Sequence, residues 1–466
     1  MQQMRSRFYL LVLMAFATAV HAADLHVKIV PISDGKTVAQ GYATGGINAV
    51  SFRISAVATA GNQQFASFYE PNDDPKTVGH QGMVVIARRD LGSEKWDLFR
   101  THFTANRLND SHDTISIGID GQGYLHLGWG MHADAFHYAR TTAPVTGTGP
   151  IEFGPDESMT GLEKFRITYP EFYTMPNGDL LYFARQGVAG NGDLFINRYS
   201  IASKTWSRVQ SPVIRGTYPK WVPANAYWNN LCFDSKGNFI CTWVWRGTQV
   251  PGGEQGYQTN HHLLYARSPD EGKTWVKFDG KPYKLPITQP TADDVLDIPQ
   301  GSCLMNQSSM AIDADDRPVI ADWWAPEAAR GYYSREYMLA YFDGKKWTAS
   351  QVSHRDVDEP KEPELNVRDL ARPIVAIDKE GRVIVVMSYK EKDHHIMVAY
   401  SKDRKNWKYL TLDSKDMGEW EPPSFDRELW QRENKLDILY EPCGLKKSAA
   451  DMAVLEWDER AFFAEK

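Results

Sequence analysis

One pattern recurs seven times along this chain and limits what it can fold into. An apolar strand runs into a tight turn carrying Gly, Asn or Asp, and a second apolar strand leaves it. The copies are ATAGNQQFASF around Gly61, SIGIDGQGYLHLGW around Gly121, TMPNGDLLYF around Gly178 and LCFDSKGNFICTW around Lys236. MAIDADDRPVIADW near Asp315, VAIDKEGRVIVVMS near Glu380 and a weaker LWQRENKLDILY near Asn434 complete the set. They repeat at roughly 55 to 80 residues, a spacing that marks a repeat architecture built from one supersecondary unit.

A second element lies between the hairpins. It is a strand with Tyr and an Arg or Ser, a short polar turn, and then Lys-Trp or Thr-Trp. ARRDLGSEKWDLF, NRYSIASKTWSRV, YARSPDEGKTWVKF, AYFDGKKWTASQ and AYSKDRKNWKYL are examples. Ser268–Trp275 matches the Asp-box S-x-D-x-G-x-T-W, and Ser401–Trp407 is a degenerate copy. The box is a fold marker: Asp270 is expected to cap backbone amides and Trp275 to pack between strands. Each repeat thus holds about four short strands, and four-stranded sheets repeated radially make a β-propeller. The fold class is all-β, with seven antiparallel four-stranded blades. The weak last copy leaves six or eight open. Helices are expected only in loops, near Asp90–Lys95 or Asp426–Gln431.

The chain reads as one unit after a leader. Arg5 and Arg7 precede an apolar run from Phe8 to Ala17, and Val20-His21-Ala22 offers small cleavage-site residues, which reads as a secretory signal over residues 1–22. The run is short for a membrane span. A single propeller domain over 23–466, secreted or periplasmic and with no membrane association once mature, is expected. No Pro/Ser-rich linker or charge run breaks the even spread of aromatics. The 52 Lys and Arg against 59 Asp and Glu leave a formal net charge of −7, which disfavours nucleic acid. A polyanion would need a local basic site. A monomer is expected.

Of four cysteines, Cys232 and Cys241 flank one hairpin. Three readings stay open: a disulfide, a structural zinc or calcium site with His261 or His262, or unpaired buried thiols. Cys303 and Cys443 carry no pattern.

Chemistry concentrates on three successive repeats. His112 and His132 flank the hairpin around Gly121, each about ten residues from its turn, a spacing that lets the two approach across the strand pair. Tyr169 and Arg185 bracket the hairpin around Gly178, and Asn225-Ala-Tyr227 and Trp245-Arg246 occupy matching places on the next. In a propeller, such equivalent positions on adjacent blades converge. A lone His or Tyr in a strand is more often a packing residue; their coincidence in one register singles these out. Arg185, between Phe183 and Gly187, needs a buried anionic partner. The other histidines, His126 among them, lack the register and read as structural.

The strings SHDTISIGIDGQGYLHLGWGMH, TYPEFYTMPNGDLLYFARQGVAGNGDLFINRY, NAYWNNLCFDSKG and NHHLLYARSPDEGKTW resemble the BNR-repeat propellers that include ulvan lyases. The nearest resemblance is to polysaccharide lyase family 25, with family 24 more distant. It covers most of the mature chain and is densest from Asn109 to Trp275. Twenty positions separate the two histidines and sixteen separate Tyr169 from Arg185. The resemblance implies a seven-bladed propeller with an open active-site canyon, cutting ulvan, a sulfated rhamnose and uronic acid polymer, by β-elimination. By position it makes His112 and Tyr169 the base and acid, His132 and Arg185 the groups on the uronate carboxylate, and Tyr227 a further site tyrosine.

The chemistry of the residue types agrees. The C5 proton of a 4-linked uronate leaves only if the enolate-like state is stabilised by charge or hydrogen bonds on the carboxylate. A guanidinium fork suits that task. A neutral imidazole can take the proton, and a phenol can protonate the departing O4. Which of His112 and Tyr169 is base stays open, as does glucuronate against iduronate. No cofactor is required. Arg166, Arg215, Lys220 and Arg246 could read sulfate on an anionic polysaccharide. Rival readings are a lyase on another polyuronate, a sialidase-like hydrolase, for which Glu171 is the most suspicious carboxylate unless it pairs with Arg185 or Arg166, and a glycan-binding propeller without turnover.

Overall fold

The computed structural model describes residues 25–466, except 44–45, 73–81, 106–107, 109, 164–165, 220, 222–223, 248–258, 327–334, 356–368, 419–420 and 443–448. The signal segment, Lys220 and Cys443 fall outside the described residues.

Seven antiparallel blades surround a central axis. Blade 1 is Val57–Ala60, Gln63–Pro71, Gly82–Asp90 and Asp97–Ala105. Blade 3 is Ile167–Thr174, Leu180–Val188, Asn191–Ser200 and Thr205–Ile214. Blade 4 is Ala224–Trp228 with Cys232–Phe233, then Phe239–Gly247, Asn260–Ser268 and Asp293–Leu296. Blade 5 is Ser309–Ile312, Pro318–Trp324, Glu336–Phe342 and Trp347–Gln351. Blade 6 is Ile374–Ile377, Val383–Met387, Ile396–Ser401 and Lys408–Asp413. The second strands are packed on both faces: every residue of Pro318–Trp324 is buried. Outer strands such as Trp347–Gln351 stay half solvated. Near-continuous apolar runs inside and mixed sequences outside follow from that layering.

Two blades depart from the four-strand pattern. In blade 2, Ser116–Ile119, Leu125–Gly128 and Tyr138–Arg140 form three strands, and the fourth place holds only a Thr141–Phe153 bridge. Its segment His132–Asp134 has crossed over to pair with the inner strand of blade 3. In blade 7 the inner strand shrinks to a Phe425–Ile438 bridge. A short helix, Arg427–Glu433, stands where the hairpin tip was expected, with Asp426 as N-cap and Asn434 as a left-handed C-cap. The helix near Asp426 is therefore present, and the seventh hairpin turn at Asn434 is not. Near Asp90–Lys95 there is a turn between strands instead of a helix. Blade 7 is closed by the other end of the chain: Val27–Pro31 pairs with Ala453–Asp458, beside Lys435–Tyr440. That closure removes the free edge a linear array would leave.

The turns are set by aspartate. Oδ1 of Asp120, Asp234, Asp313 and Asp378 each accepts the N–H groups of the residues two and four further on, at 2.6–3.0 Å. This side-chain mimicry of a backbone turn fixes the hairpin register. The Asp-box does the same on an outer turn. Asp270 accepts from Thr274 N and Oγ1, both at 2.7 Å, and buried Trp275 donates to Gly272 O at 3.0 Å. Asp403 repeats the arrangement in the degenerate copy. Between blades 2 and 3 the turns touch: Gly121 N donates to Gly178 O at 2.8 Å, and a Cβ on Gly121 would sit 2.7 Å from Gly178 Cα. These turns point to one end of the axis, where a cavity of about 960 Å³ is lined by Gly121, Pro176, Cys232, Ile312 and Arg427. The residues singled out for chemistry lie at the other end.

Candidate active site

His112 sits in the turn that precedes the inner strand of blade 2. His132 begins the crossed-over strand, opposite Thr168. The two do not face each other across one hairpin, as their spacing suggested. They meet because His132 is carried to the edge of blade 3. Their rings stack at 4.3 Å between centroids, and Phe52 stacks on the far side of His112 at 4.9 Å. Asp110 locks the pair. Its Oδ1 lies 2.7 Å from His112 Nδ1 and its Oδ2 2.6 Å from His132 Nδ1. A carboxylate only accepts, so this geometry places a proton on each Nδ1 and makes Nε2 the basic nitrogen of a neutral His112. Donor atoms of the three residues lie within 4.8 Å of one another, but both Nδ1 atoms are already committed to Asp110.

Tyr169 reaches the site through a strained piece of backbone. The register of Ile167–Thr174 against Leu180–Val188 slips between Thr168 and Glu171, a bulge that contains Tyr169 and Pro170. Tyr169 has φ +58°, a region few non-glycine residues occupy. Bulges re-aim side chains beside active sites. Here the ring comes to 6.0 Å from His112 and 6.3 Å from His132.

Arg185 pairs with Thr168 on the neighbouring strand and is 1% exposed. Its guanidinium carbon lies 5.0 Å from the Tyr169 ring and 5.4 Å from the Tyr227 ring. Gly192 makes room for it: a Cβ there would stand 2.8 Å from Arg185 Cδ. None of the three guanidinium nitrogens closes a hydrogen bond among the described residues. From blade 4, Tyr227 adds a second buried phenol, 6.1 Å from Tyr169, and Arg246 Nη1 donates to its oxygen at 3.4 Å. All six expected residues, His112, His132, Tyr169, Arg185, Tyr227 and Arg246, therefore gather in one site.

The environments separate these groups. Burial holds the His112 imidazole below its ordinary 6.5, the Asp110 hydrogen bond opposing it. Burial, and then Tyr227, push the Tyr169 phenol up, against the pull of Arg185, Arg246 and Arg372. For Tyr227 burial also pushes upward, but Arg185 and Arg246 outweigh it and the phenol is lowered. Burial acts upward on Asp110 too, yet the two histidine hydrogen bonds hold its carboxyl below the usual range. At neutral pH the arrangement is a neutral imidazole, a protonated phenol and a fixed cation.

Sequence reasoning missed Asp110, Phe52 and Arg372. The Asp-Ser-His run at 110–112 is a usable signal, since an acceptor two residues from an imidazole can fix its tautomer. Arg372 and Phe52 come from distant blades and leave no local trace. The Arg372 guanidinium carbon lies 5.7 Å from the Phe52 ring, and its Nη1 pairs with Glu421 at 2.8 Å. Glu421 also accepts from Ser51 Oγ at 2.9 Å.

Other expectations are corrected. Glu171 pairs with neither Arg185 nor Arg166. It is buried, accepting from Tyr173 Oη at 2.5 Å and Trp228 Nε1 at 2.8 Å. Burial raises its carboxyl to about 8, so it is neutral packing. Arg166 and Arg215 are exposed. Cys232 and Cys241 are free thiols, which ends the disulfide reading. Nor do they join His261 and His262. Cys241 pairs with Ala266, five residues along the strand from His261, about 16 Å at strand rise. His262 Nε2 instead lies 3.2 and 3.3 Å from Asp294 and Asp297. His126 is structural as expected, bonded to Tyr138 and Asp120.

Comparison with known proteins gives the chain its family and its fold relatives. An ulvan lyase of Alteromonas sp. (strain LOR) is 23% identical over 358 residues, 69% of this chain and 69% of that protein. A protein of Pseudoalteromonas sp. (strain PLSV) named Ulvan Lyase-PL25 is 24% identical over 288 residues, 55% of each. The chain spans a smaller part of the long-isoform ulvan lyases it matches, 27% of one from the same Alteromonas strain. Among solved structures, polysaccharide lyase Uly1 superposes with a TM-score of 0.66 at 16% identity, covering 93% of this chain and 98% of that one. A PL25 ulvan lyase bound to -[GlcA(1-4)Rha3S]- gives 0.61 at 14% identity, covering 91% and 98%. Both share the propeller fold. The model of the BNR repeat-containing family matches residues 63–355, and with that match this chain belongs to the BNR repeat-containing family.

Proposed function

We propose that this protein is a polysaccharide lyase that cuts ulvan by β-elimination at a 4-linked uronate. The observation that carries the reading is the approach of His112 and Tyr169, 6.0 Å apart, with the Arg185 guanidinium against the phenol. The carboxylate of the uronate sits on Arg185, where added negative charge is stabilised as the enolate forms. His132, whose Nδ1–H is given to Asp110, stacks on His112, the base. His112 Nε2 takes the C5 proton. The C5–H electron pair becomes the C4–C5 double bond, the C4–O4 bond breaks, and Tyr169 gives its proton to O4. The opposed pKa displacements of His112 and Tyr169 support this direction of proton traffic over the reverse.

Base, acid and cation are all side chains, so we infer that the reaction needs no cofactor. A structural cation would fit the cluster of His262, Asp294 and Asp297, outside the reaction. A hydrolase is disfavoured by the carboxylates present. Asp110 is held by both histidines and Glu421 by Arg372, which leaves neither placed as an acid–base partner. The basic start and apolar run before Ala23 support secretion.

Incubation with ulvan should give unsaturated uronate ends, visible as the ultraviolet absorbance of a conjugated alkene. Reducing ends without that absorbance would overturn the lyase reading. His112→Ala and Tyr169→Phe should each lose at least about 10²-fold in turnover while remaining folded. Near-parental turnover removes the residue concerned from the mechanism.

The pH profile offers an independent check. The base must be unprotonated, so activity is present above the His112 pKa and lost as pH falls through it. Because that pKa is lowered, the acid limb of kcat/KM should lie below the ordinary imidazole value of 6.5. An acid limb centred above 6.5 would exclude His112 as base.

A further inference from the structure

Beside Arg185 lies a second buried polar group that the reaction just described does not use. Strand Ala224–Trp228 carries Asn225 and Tyr227 two residues apart, hence on the same face. Arg246 stands directly across from Asn225 on the paired strand. Asn225 is 0% exposed, and neither its Oδ1 nor its Nδ2 closes a hydrogen bond among the described residues. The Arg185 nitrogens are in the same condition. Both side chains lie close enough to the Tyr227 oxygen to act on it, yet neither reaches it in hydrogen-bond geometry.

A buried amide with both ends unbonded is costly, and apolar residues fill such places more cheaply. The fold does not ask for it, since the backbone ladder of Ala224–Trp228 against Phe239–Gly247 is made without the side chain. Nor does support of Tyr227 explain it. A phenol oxygen would engage Nδ2 and leave Oδ1 unaccounted for. A donor and an acceptor side by side, next to an unpaired guanidinium, suit an anion that carries a neighbouring hydroxyl. A uronate is such a ligand.

We propose that Asn225 is a substrate-contact residue of this site: its Nδ2 donates to the uronate carboxylate seated on Arg185, and its Oδ1 accepts from a ring hydroxyl. This rests on the lyase reading and deepens it. The amide then helps the site tell a uronate from a neutral sugar, because a ligand lacking the carboxylate would leave Arg185 and Asn225 buried without partners.

Three variants test it, with folding followed by thermal melts. Asn225→Leu keeps the volume and removes both polar ends, so the melt should hold while kcat/KM on ulvan falls at least about tenfold. Asn225→Asp sets a carboxylate against the substrate's own and should fall further, by about 10²-fold or more. Asn225→Ala should resemble Asn225→Leu. Near-parental kcat/KM in folded Asn225→Leu overturns the inference, as does unfolding of all three variants, which would make the side chain structural. Failure of the unaltered protein to form the alkene overturns the lyase reading instead. In that event binding still decides. An ulvan oligosaccharide titrated calorimetrically into His112→Ala should lose at least about tenfold in affinity when Asn225→Leu is added, and equal affinity overturns the contact.

Discussion

Asp110→Asn will lose at least about 10²-fold in kcat/KM and leave the fold intact. Asp110 contacts no substrate in this mechanism, so the size of the effect has to come through tautomers. The carboxylate accepts from His112 Nδ1 at 2.7 Å and from His132 Nδ1 at 2.6 Å. An amide can accept at one end only; at the other it presents N–H. One imidazole must then turn its Nδ1 lone pair to the amide and carry its proton on Nε2. If that imidazole is His112, its basic nitrogen is gone; if it is His132, the ring stacked on the base changes its tautomer and with it the hydrogen bonding beside His112. In Ser-His-Asp triads the same tautomer error costs about 10⁴. Asp110 is about a third exposed, so an isosteric amide is tolerated sterically. The variant also has a pH signature. The Asp110 hydrogen bond and charge raise the His112 pKa against burial, so what activity survives should show its acid limb moved to lower pH. A folded Asp110→Asn enzyme with parental kcat/KM would show that neither histidine depends on its tautomer, and would remove His112 as base.

The legible parts of this molecule are those written within one repeat. Hairpin turns recur because each needs Asp, Asn or Gly at a fixed offset, and the Asp-box pins its own loop through Asp270 and Trp275. The register of His112, Tyr169, Arg185, Tyr227 and Arg246 could be followed because equivalent strand positions converge in a radial fold. What depends on exchange between repeats was not legible. The transfer of His132–Asp134 from blade 2 to the edge of blade 3 has no local code, and it decides how the histidines meet. The helix at Arg427–Glu433 occupies a hairpin's place because blade 7 is finished by Val27–Pro31, nearly the whole chain away. The Tyr169-Pro170 dipeptide hints at irregularity, but only the slipped register shows the tyrosine turned into the site. Asp110 was within reach of a sequence argument. Arg372 and the buried state of Asn225 were not, since both are facts about neighbours supplied by other strands.

The second large effect separates activity from stability. Arg185→Met should abolish most activity, by about 10²–10³-fold or more in kcat/KM, as loss of a principal transition-state cation does. The same change should leave the melting temperature equal to the parent's or higher. Arg185 is 1% exposed and its nitrogens close no hydrogen bond among the described residues. Replacing buried charges by apolar side chains of similar shape is often neutral or stabilising by about 1–4 kcal/mol. Against that stands the loss of contact with the faces of Tyr169 and Tyr227, worth about 0.5–2 kcal/mol. Methionine keeps most of the aliphatic stem that Gly192 accommodates, so packing changes little. The desolvation gain therefore matches or exceeds the loss. A residue kept for folding would behave in the opposite way, with a lower melting temperature and activity that falls only as the protein unfolds. Arg185→Lys supplies the control: it retains charge without the planar fork, and should recover only part of the activity. A melting temperature several degrees below the parent's in Arg185→Met, or turnover that survives it, would show that the guanidinium serves the fold and that the carboxylate of the substrate is held elsewhere.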